Sequence, residues 1–372
     1  MQKFYAAHNT VRDAVHGSMQ KTIKGLRLGY SKEIYDQIFD KLELKKNYLK
    51  SNGESTNELN IIDYNVRVSP MTYYLNKLLK PKHHLIYPDG KGATKFWDRI
   101  METDDELINV HIMKNNVTTT IKANLLTQPL KDKLIEPKYL PEPTNEEISK
   151  YYLQRREPLN NSLLFIGDFV SVTNSTALRT CIYYNEVKTS MFSYGGIKFL
   201  AWTTPNEILK YLGPMGSIHR RTNSLMANLY SDIKVIACSD KLKNAKAQRL
   251  FAELDDYIKL PTSEVEGEIC LIELQSNCYK FNIKFHDELH LIIHKLLCAP
   301  GAILRDKLHV LGPGAEDYLK DLIPIETLNK KMSMITEQEF VDLSEVYYYW
   351  PFKPDTSIET FSTSDTFFDT ID

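Results

Sequence analysis

The chain has 372 residues, 42% hydrophobic and 25% charged, with a formal net charge of −2. That length accommodates one large domain and a smaller one, and the composition is ordinary for a soluble globular fold. The near-neutral balance excludes a globally basic nucleic-acid binder and leaves that role to a local patch. No apolar run approaches the ~20 residues that span a bilayer, so no membrane partner is expected.

The five cysteines, Cys181, Cys238, Cys270, Cys278 and Cys298, form no C-x-x-C pair, and their odd number argues against a full disulfide framework. A reducing compartment is expected, with the cysteines as small core residues. Residues 1–27 carry Lys3, Arg12, Lys21, Lys24 and Arg27 against the single acid Asp13. That balance fits either a mitochondrial targeting segment or a mobile basic terminus, and the segment 1–30 is set apart from the fold on this ground.

Ser31 reads as the N-cap of a helix to about Leu42, with Ile34, Tyr35, Ile38, Phe39 and Leu42 as its apolar stripe. After a polar break at 50–58 comes a buried strand, Asn60 to Tyr64, a turn, and a helix from about Pro70. Strand, tight turn and helix is where a doubly wound α/β domain holds a nucleotide-like cofactor. Such a turn needs glycines so that the backbone can approach the ligand. Asn65, Val66, Arg67, Val68 and Ser69 fill it with side chains instead.

A second strand at 84–87 runs into the turn Pro88-Asp89-Gly90, and a third covers about 107–112. The polar stretch 114–161, with Pro129, Pro137, Pro141 and Pro143, reads as an insertion or mobile loop. Further strands are predicted at 162–167, 196–203, 233–238 and 268–274, with helices within 177–194 and from Pro205 to about Leu212. Strands alternating with helices imply a mostly parallel, seven-stranded sheet.

From His286 the pattern turns helical, with Leu289, Ile292, Ile293, Leu296 and Leu297 on one stripe. The last helix opens on a capping box, Thr336 with Glu339, and ends at Pro351. The expected organisation is an α/β domain at 31–285, a helical domain at 286–352 and a flexible acidic tail at 353–372.

Four stretches, in this order, carry a family resemblance: EIYDQIFDKLEL at 33–44, SYGGIKFLAWTTPNEILKYL at 193–212, SIHRRTNSLMANLYSDIKVIACSD at 217–240, and YYWPFKPD at 348–355. On them the chain resembles the mitochondrial transcription factor B type, within the fold family of the rRNA adenine N6-dimethyltransferases. The resemblance implies an S-adenosylmethionine-methyltransferase-like Rossmann fold with a small C-terminal helical domain and an acidic tail. It also implies a monomer in the mitochondrial matrix and nucleoid. Its expected partners are the single-subunit mitochondrial RNA polymerase and the melted strand of promoter DNA.

Active relatives of that fold family need a glycine-rich turn, and Arg67 and Ser69 stand where two of the glycines belong. They need an acid ending the second strand for the ribose; Tyr87 stands there and Asp89 is displaced by two residues. They need an acid after the third strand, where Lys114-Asn115-Asn116 offers none. Their Asn-x-Pro-aromatic run after the fourth strand receives the target amine and stacks on the flipped base. Here Ile166-Gly167-Asp168-Phe169 keeps only the aromatic. Asp168 keeps a second reading alive, because some adenine methyltransferases use an acid there, followed by two prolines and an aromatic; Phe169-Val170-Ser171 follows it here. No cofactor and no catalysis are therefore expected. The alternatives are an active rRNA adenine dimethyltransferase and a noncatalytic mitoribosome-assembly factor.

His219, Arg220 and Arg221 form the densest basic cluster on a predicted loop, and Lys45 and Lys46 a weaker one. Both are candidates for nucleic acid, since arginines bind phosphates and stack on unpaired bases, and a solvated charged loop is the bland alternative. Tyr347, Tyr348, Tyr349 and Trp350 are expected in the core rather than in a stacking platform. The pair His83-His84 and the helix-face set His286, His290 and His294 lack the cysteine or acid partners of a metal site and are read as structural.

Overall fold

A computed structural model describes residues 32–50, 58–64, 69–88, 90–103, 107–113, 129–130, 133–138, 140–170, 172–254, 256–261 and 267–354. The expectations on Ser31, Arg67, Asp89, Asn115, the basic segment 1–30 and the tail from Asp355 onward fall outside these residues.

In chain order the larger elements are α1 (Lys32–Lys41), α2 (Leu44–Tyr48), β1 (Asn60–Tyr64), α3 (Pro70–Leu79), β2 (His83–Ile86), α4 (Gly90–Thr103) and β3 (Val110–Ile112). There follow α5 (Asn145–Gln154), β4 (Leu159–Asp168), α6 (Val172–Glu186), β5 (Gly196–Thr203), α7 (Pro205–Leu212) and α8 (Thr222–Tyr230). The chain continues with β6 (Ser231–Ser239), α9 (Ala245–Glu253), β7 (Ile258–Leu260) and β8 (Cys270–Ser276). It closes with α10 (His286–Leu296), α11 (Ala315–Leu319), α12 (Ile325–Leu328) and α13 (Glu337–Tyr348).

The chain divides into two compact units. The first takes its described residues from Met1–Thr144, Glu157–Ile208 and Ser231–Asn277, and the second from Asn145–Arg156, Leu209–Tyr230 and Cys278–Asp372. The helical unit thus draws α5 and α8 from upstream of His286, where the sequence shows no composition break. Part of the stretch read as an insertion is therefore ordered structure: α5 forms within it and β4 begins at its end.

The first unit is built on one sheet in the order β3-β2-β1-β4-β5-β8-β6-β7. Pairing is parallel except at β8, which runs antiparallel to both β5 and β6. The sheet has eight strands rather than the expected seven. The extra one, β7, spans three residues and is too short to show a period of two in the sequence. β1 (NIIDY) is buried along its whole length, as a strand covered on both faces must be, with Asn60 and Asp63 buried among the apolar residues. Tyr35, Ile38 and Phe39 of α1 pack with Leu75 and Leu79 of α3 in one cluster, and Tyr73, Phe96, Trp97 and Ile100 join Ile86 in another. α3 starts because Ser69 accepts a hydrogen bond from the Met71 amide (3.2 Å) and Pro70 occupies the first turn.

The core of the second unit joins Leu225 and Leu229 of α8, Leu289, Ile292, Ile293 and Leu296 of α10, and Phe340, Leu343 and Tyr347 of α13. The predicted capping box is present: the Glu339 amide donates to Thr336 Oγ1 (3.2 Å) and the Thr336 amide to Glu339 Oε2 (2.9 Å). Among the described residues no helix is long and apolar enough to cross a membrane.

Candidate functional site: a filled cofactor cleft and a braced basic loop

Strand order reverses direction at β1, whose neighbours are β2 on one side and β4 on the other. The carboxyl ends of these strands define the crevice where doubly wound sheets bind ligands. Three described residues from the degenerate motifs sit there. Ser69 is buried and its hydroxyl is engaged as the α3 cap. Tyr87 follows β2, donates its amide to the Asp63 carbonyl (2.9 Å) and is fully buried, which pushes its phenol pKa upward. Asp168, also buried, accepts the Val170 amide (3.0 Å) and closes the turn after β4.

Phe169 decides what this crevice can do. Its ring is 1% exposed and stacks with Tyr64 (5.5 Å, 26°), Phe199 (5.9 Å, 20°) and Phe165 (6.3 Å, 23°). Gly167 permits this packing, because a Cβ there would lie 2.6 Å from the Phe169 ring. The aromatic that could receive a flipped base is thus folded back over its own strand. S-adenosylmethionine would need a carboxylate for its ribose at the end of β2, and the buried Tyr87 ring stands at that place. The described residues do not fit this cofactor.

The basic triplet divides. The loop that carries it is braced inside the second unit: the Gly216 amide donates to the Ser333 carbonyl (2.8 Å), and Gly216 sits at φ +80°. Arg220 is 3% exposed; its Nη2 donates to the Ile335 carbonyl (2.9 Å) and pairs with Glu337 Oε1 (3.1 Å). This differs from the sequence expectation of a solvent-facing pair of arginines. Arg220 is engaged by α13 and its entry loop, partners more than a hundred positions away. Arg221 is exposed, and its Nε only skirts the Ile218 carbonyl (3.4 Å). His219 is half-buried, with its amide donating to Ser217 Oγ (3.0 Å).

Beside Arg221 the loop exposes Ile218 at 62% and Met215 at 49%, two apolar side chains that charge-based reading passed over. Lys45 and Lys46 share the short α2 of the first unit, where Lys45 lies 3.8 Å from Asp40 and Lys46 donates to Glu43 (2.8 Å). Both lysines are mostly exposed, so such pairs leave their charge available to a polyanion.

The histidines have structural partners. His84 is buried between Asn76 (3.2 Å) and Asp63 (3.3 Å), His83 meets His111 (3.1 Å), and His286 accepts or donates at the Tyr230 hydroxyl (2.8 Å). Tyr347 and Trp350 are buried as expected, whereas Tyr348 and Tyr349, expected in the core with them, are 41% and 67% exposed.

The fold is that of an S-adenosylmethionine-methyltransferase-like Rossmann protein with a helical C-terminal region. A dimethyladenosine transferase from Plasmodium falciparum superposes with a TM-score of 0.51 over 85% of this chain and 95% of that one, at 10% identity. No protein-family model matches the chain. In sequence it is similar to mitochondrial transcription factor 1 of Saccharomyces cerevisiae (strain ATCC 204508 / S288c), 23% identical over 91% of this chain and 92% of that protein. It is similar as well to the proteins of that name from Saccharomyces paradoxus (22% identical) and Lachancea kluyveri (21% identical). The resemblance carried by the four sequence stretches is thereby borne out.

Proposed function

We propose that this protein is a mitochondrial transcription initiation factor built on a catalytically silent methyltransferase fold. It acts in the matrix, at the nucleoid, as a monomer that binds the single-subunit mitochondrial RNA polymerase and helps hold a melted promoter strand. The observation that carries the silent reading is the closed stack around Phe169, which leaves no aromatic face for a target base. The direction toward transcription comes from similarity along nine-tenths of the chain to proteins named as mitochondrial transcription factors. Arg221, with Ile218 and Met215 beside it, supplies charge and apolar surface for the strand, and Lys45 and Lys46 are a separate basic candidate on the first unit. Capturing unstacked bases costs a few kcal/mol per base, which such contacts must offset.

Two measurements test this. Calorimetry with S-adenosylmethionine at sub-millimolar ligand is expected to give no saturable heat. Runoff transcription from linear duplex promoter DNA by the cognate polymerase is expected to depend on this protein. A stoichiometric S-adenosylmethionine isotherm, or adenine methylation of rRNA, would replace the proposal with the dimethyltransferase reading.

A further inference from the structure

At the far end of the sheet from the cofactor crevice, β6, α9 and β7 make a parallel strand–helix–strand unit, separated from β1 by β4, β5 and β8. A cavity of about 470 Å³ opens there, within the first unit. Its floor is the carboxyl end of β6 and the loop that follows, its roof α9, and its far wall β7. It lies beside the carboxyl end of β6, away from the strand-order reversal at β1, and its volume lies in the range of small-ligand sites. The relatives' crevice at β1 gives no account of it.

The lining has three chemical characters. Phe251 and Tyr257 present an aromatic wall, with the rings edge to face at 5.7 Å and 86°. Phe251 is buried and fixed, and Tyr257 is half-exposed. Asp240 and Gln248 bring polar groups, and Gln248 Nε2 donates to the Leu242 carbonyl (2.5 Å), which ties the loop to α9. Lys241 and Lys259 bring two exposed ammonium groups from opposite walls, and among the described residues neither has an ion-pair partner. The loop and helix between them add Lys243, Lys246 and Arg249, which likewise have no ion-pair partner among the described residues. Of the nearby acids, Asp256 is engaged by Lys41.

An aromatic wall and an amide oxygen at one cavity, with two ammonium groups at its rim, match a nucleotide. The rings suit the base, Gln248 Oε1 can accept a hydrogen bond from sugar or base, and the lysines suit the phosphate. We propose that this cavity binds a nucleotide, either free or as one residue of a single strand. The site stands apart from the promoter reading and does not require it.

The test uses the full chain, a fluorescein-labelled thymidine strand of about twelve nucleotides, AMP, inorganic phosphate and a polyglutamate of matched length. The double variant Lys241→Glu/Lys259→Glu is compared with Lys150→Glu/Lys331→Glu, which changes net charge equally on exposed side chains of the second unit. All four lysines lie at the surface, so both variants are expected to melt as the parent does. The cavity variant is expected to bind the strand at least about tenfold more weakly. Its log–log salt slope should be shallower by about 1.4, that is about 0.7 for each lost phosphate contact. The control variant is expected to change affinity less than twofold. Displacement of the strand by AMP but not by phosphate assigns the site to free nucleotides. A lysine-dependent strand affinity that AMP does not compete assigns it to a strand. Equal loss in both variants, no loss in either, or equal lysine-dependent displacement by polyglutamate overturns the proposal.

Discussion

Arg220 and Arg221 are neighbours in the chain with opposite surroundings. Arg220 is held against Glu337 and the Ile335 carbonyl, out of water, whereas Arg221 lies at the surface. Removing one member of a buried pair strands the other, at a cost on the order of 3 kcal/mol. Arg220→Ala is therefore expected to lower the thermal melt by several degrees, and Glu337→Ala to do the same. Arg221→Ala is expected to shift stability by less than about 0.5 kcal/mol and to weaken promoter-strand binding, more so at physiological than at low salt. Equal melts for the two arginine variants would show that Arg220 is not structural. Glu339 allows a second test. Burial raises its pKa, but hydrogen bonds from Lys330, Thr327 and Thr336 outweigh that and hold it at about 2. A carboxyl depressed on folding contributes stability above its unfolded value of about 4.3 and loses it as pH falls toward 2. The melt of the parent is expected to fall between pH 4.5 and 2.5 more steeply than that of Glu339→Gln, and parallel curves would refute this.

β5 and β8 carry a buried ion pair, Lys198 with Glu273 at 2.6 Å, and Lys198 Nζ also donates to the Leu42 carbonyl (2.7 Å). Glu273→Ala leaves that ammonium buried without its counter-charge and is expected to destabilise the first unit by about 3–5 kcal/mol. Combining Lys198→Met with Glu273→Leu is expected to recover most of the loss that Glu273→Leu shows alone, a non-additivity that urea denaturation of the parent, the single variants Lys198→Met and Glu273→Leu, and the double variant would read. Elements that announce themselves by composition were legible in the sequence. β1 reads as a buried strand from Ile61, Ile62 and Tyr64 after a polar break, and α13 carries its capping box in the residues Thr336 and Glu339. Elements defined by distant contacts were not. β4 begins at Leu159 rather than Ser162 because Asn160, polar in sequence, is buried and donates to the Lys138 and Tyr194 carbonyls. α4 begins at Gly90, inside what reads as a turn, and the stripe Ala93, Phe96, Trp97 and Ile100 was outweighed by the glycines before it. α5 has no buried residue, so nothing in its pattern marked it as ordered. At the site, the sequence exposed the lost glycines and acids. It could not expose the inward turn of Phe169 or Arg220, which depends on partners brought together only by the fold.

For the whole molecule, the described part of the second unit ends in the segment 350–354. Trp350 is 3% exposed, and Lys353 Nζ pairs with Glu288 (2.6 Å) while lying 4.1 Å from the centre of the Tyr348 ring. Pro354 packs against Gly312 so closely that a Cβ on that glycine would lie 3.0 Å from the proline ring. Beyond it, residues 355–372 contain Asp355, Glu359, Asp365, Asp369 and Asp372 and no lysine or arginine. Their apolar residues, Ile358, Phe361, Phe367, Phe368 and Ile371, are too few to support a core. Like charge makes this stretch a poor tether for phosphate, and acid interleaved with aromatics suits it to a basic channel built for nucleic acid. A polymerase cleft is such a channel, so under the proposed function the stretch occupies it before the RNA–DNA hybrid does and helps place the template. Truncation after Pro354 keeps the described anchors of the second unit and is expected to leave the melt of the isolated protein unchanged. The same truncation is expected to reduce runoff from duplex promoters more than from pre-melted ones, since only the former require the strand to be opened and placed. Equal yields from both templates, matching the full-length protein, would make the acidic end a passive solubilising segment.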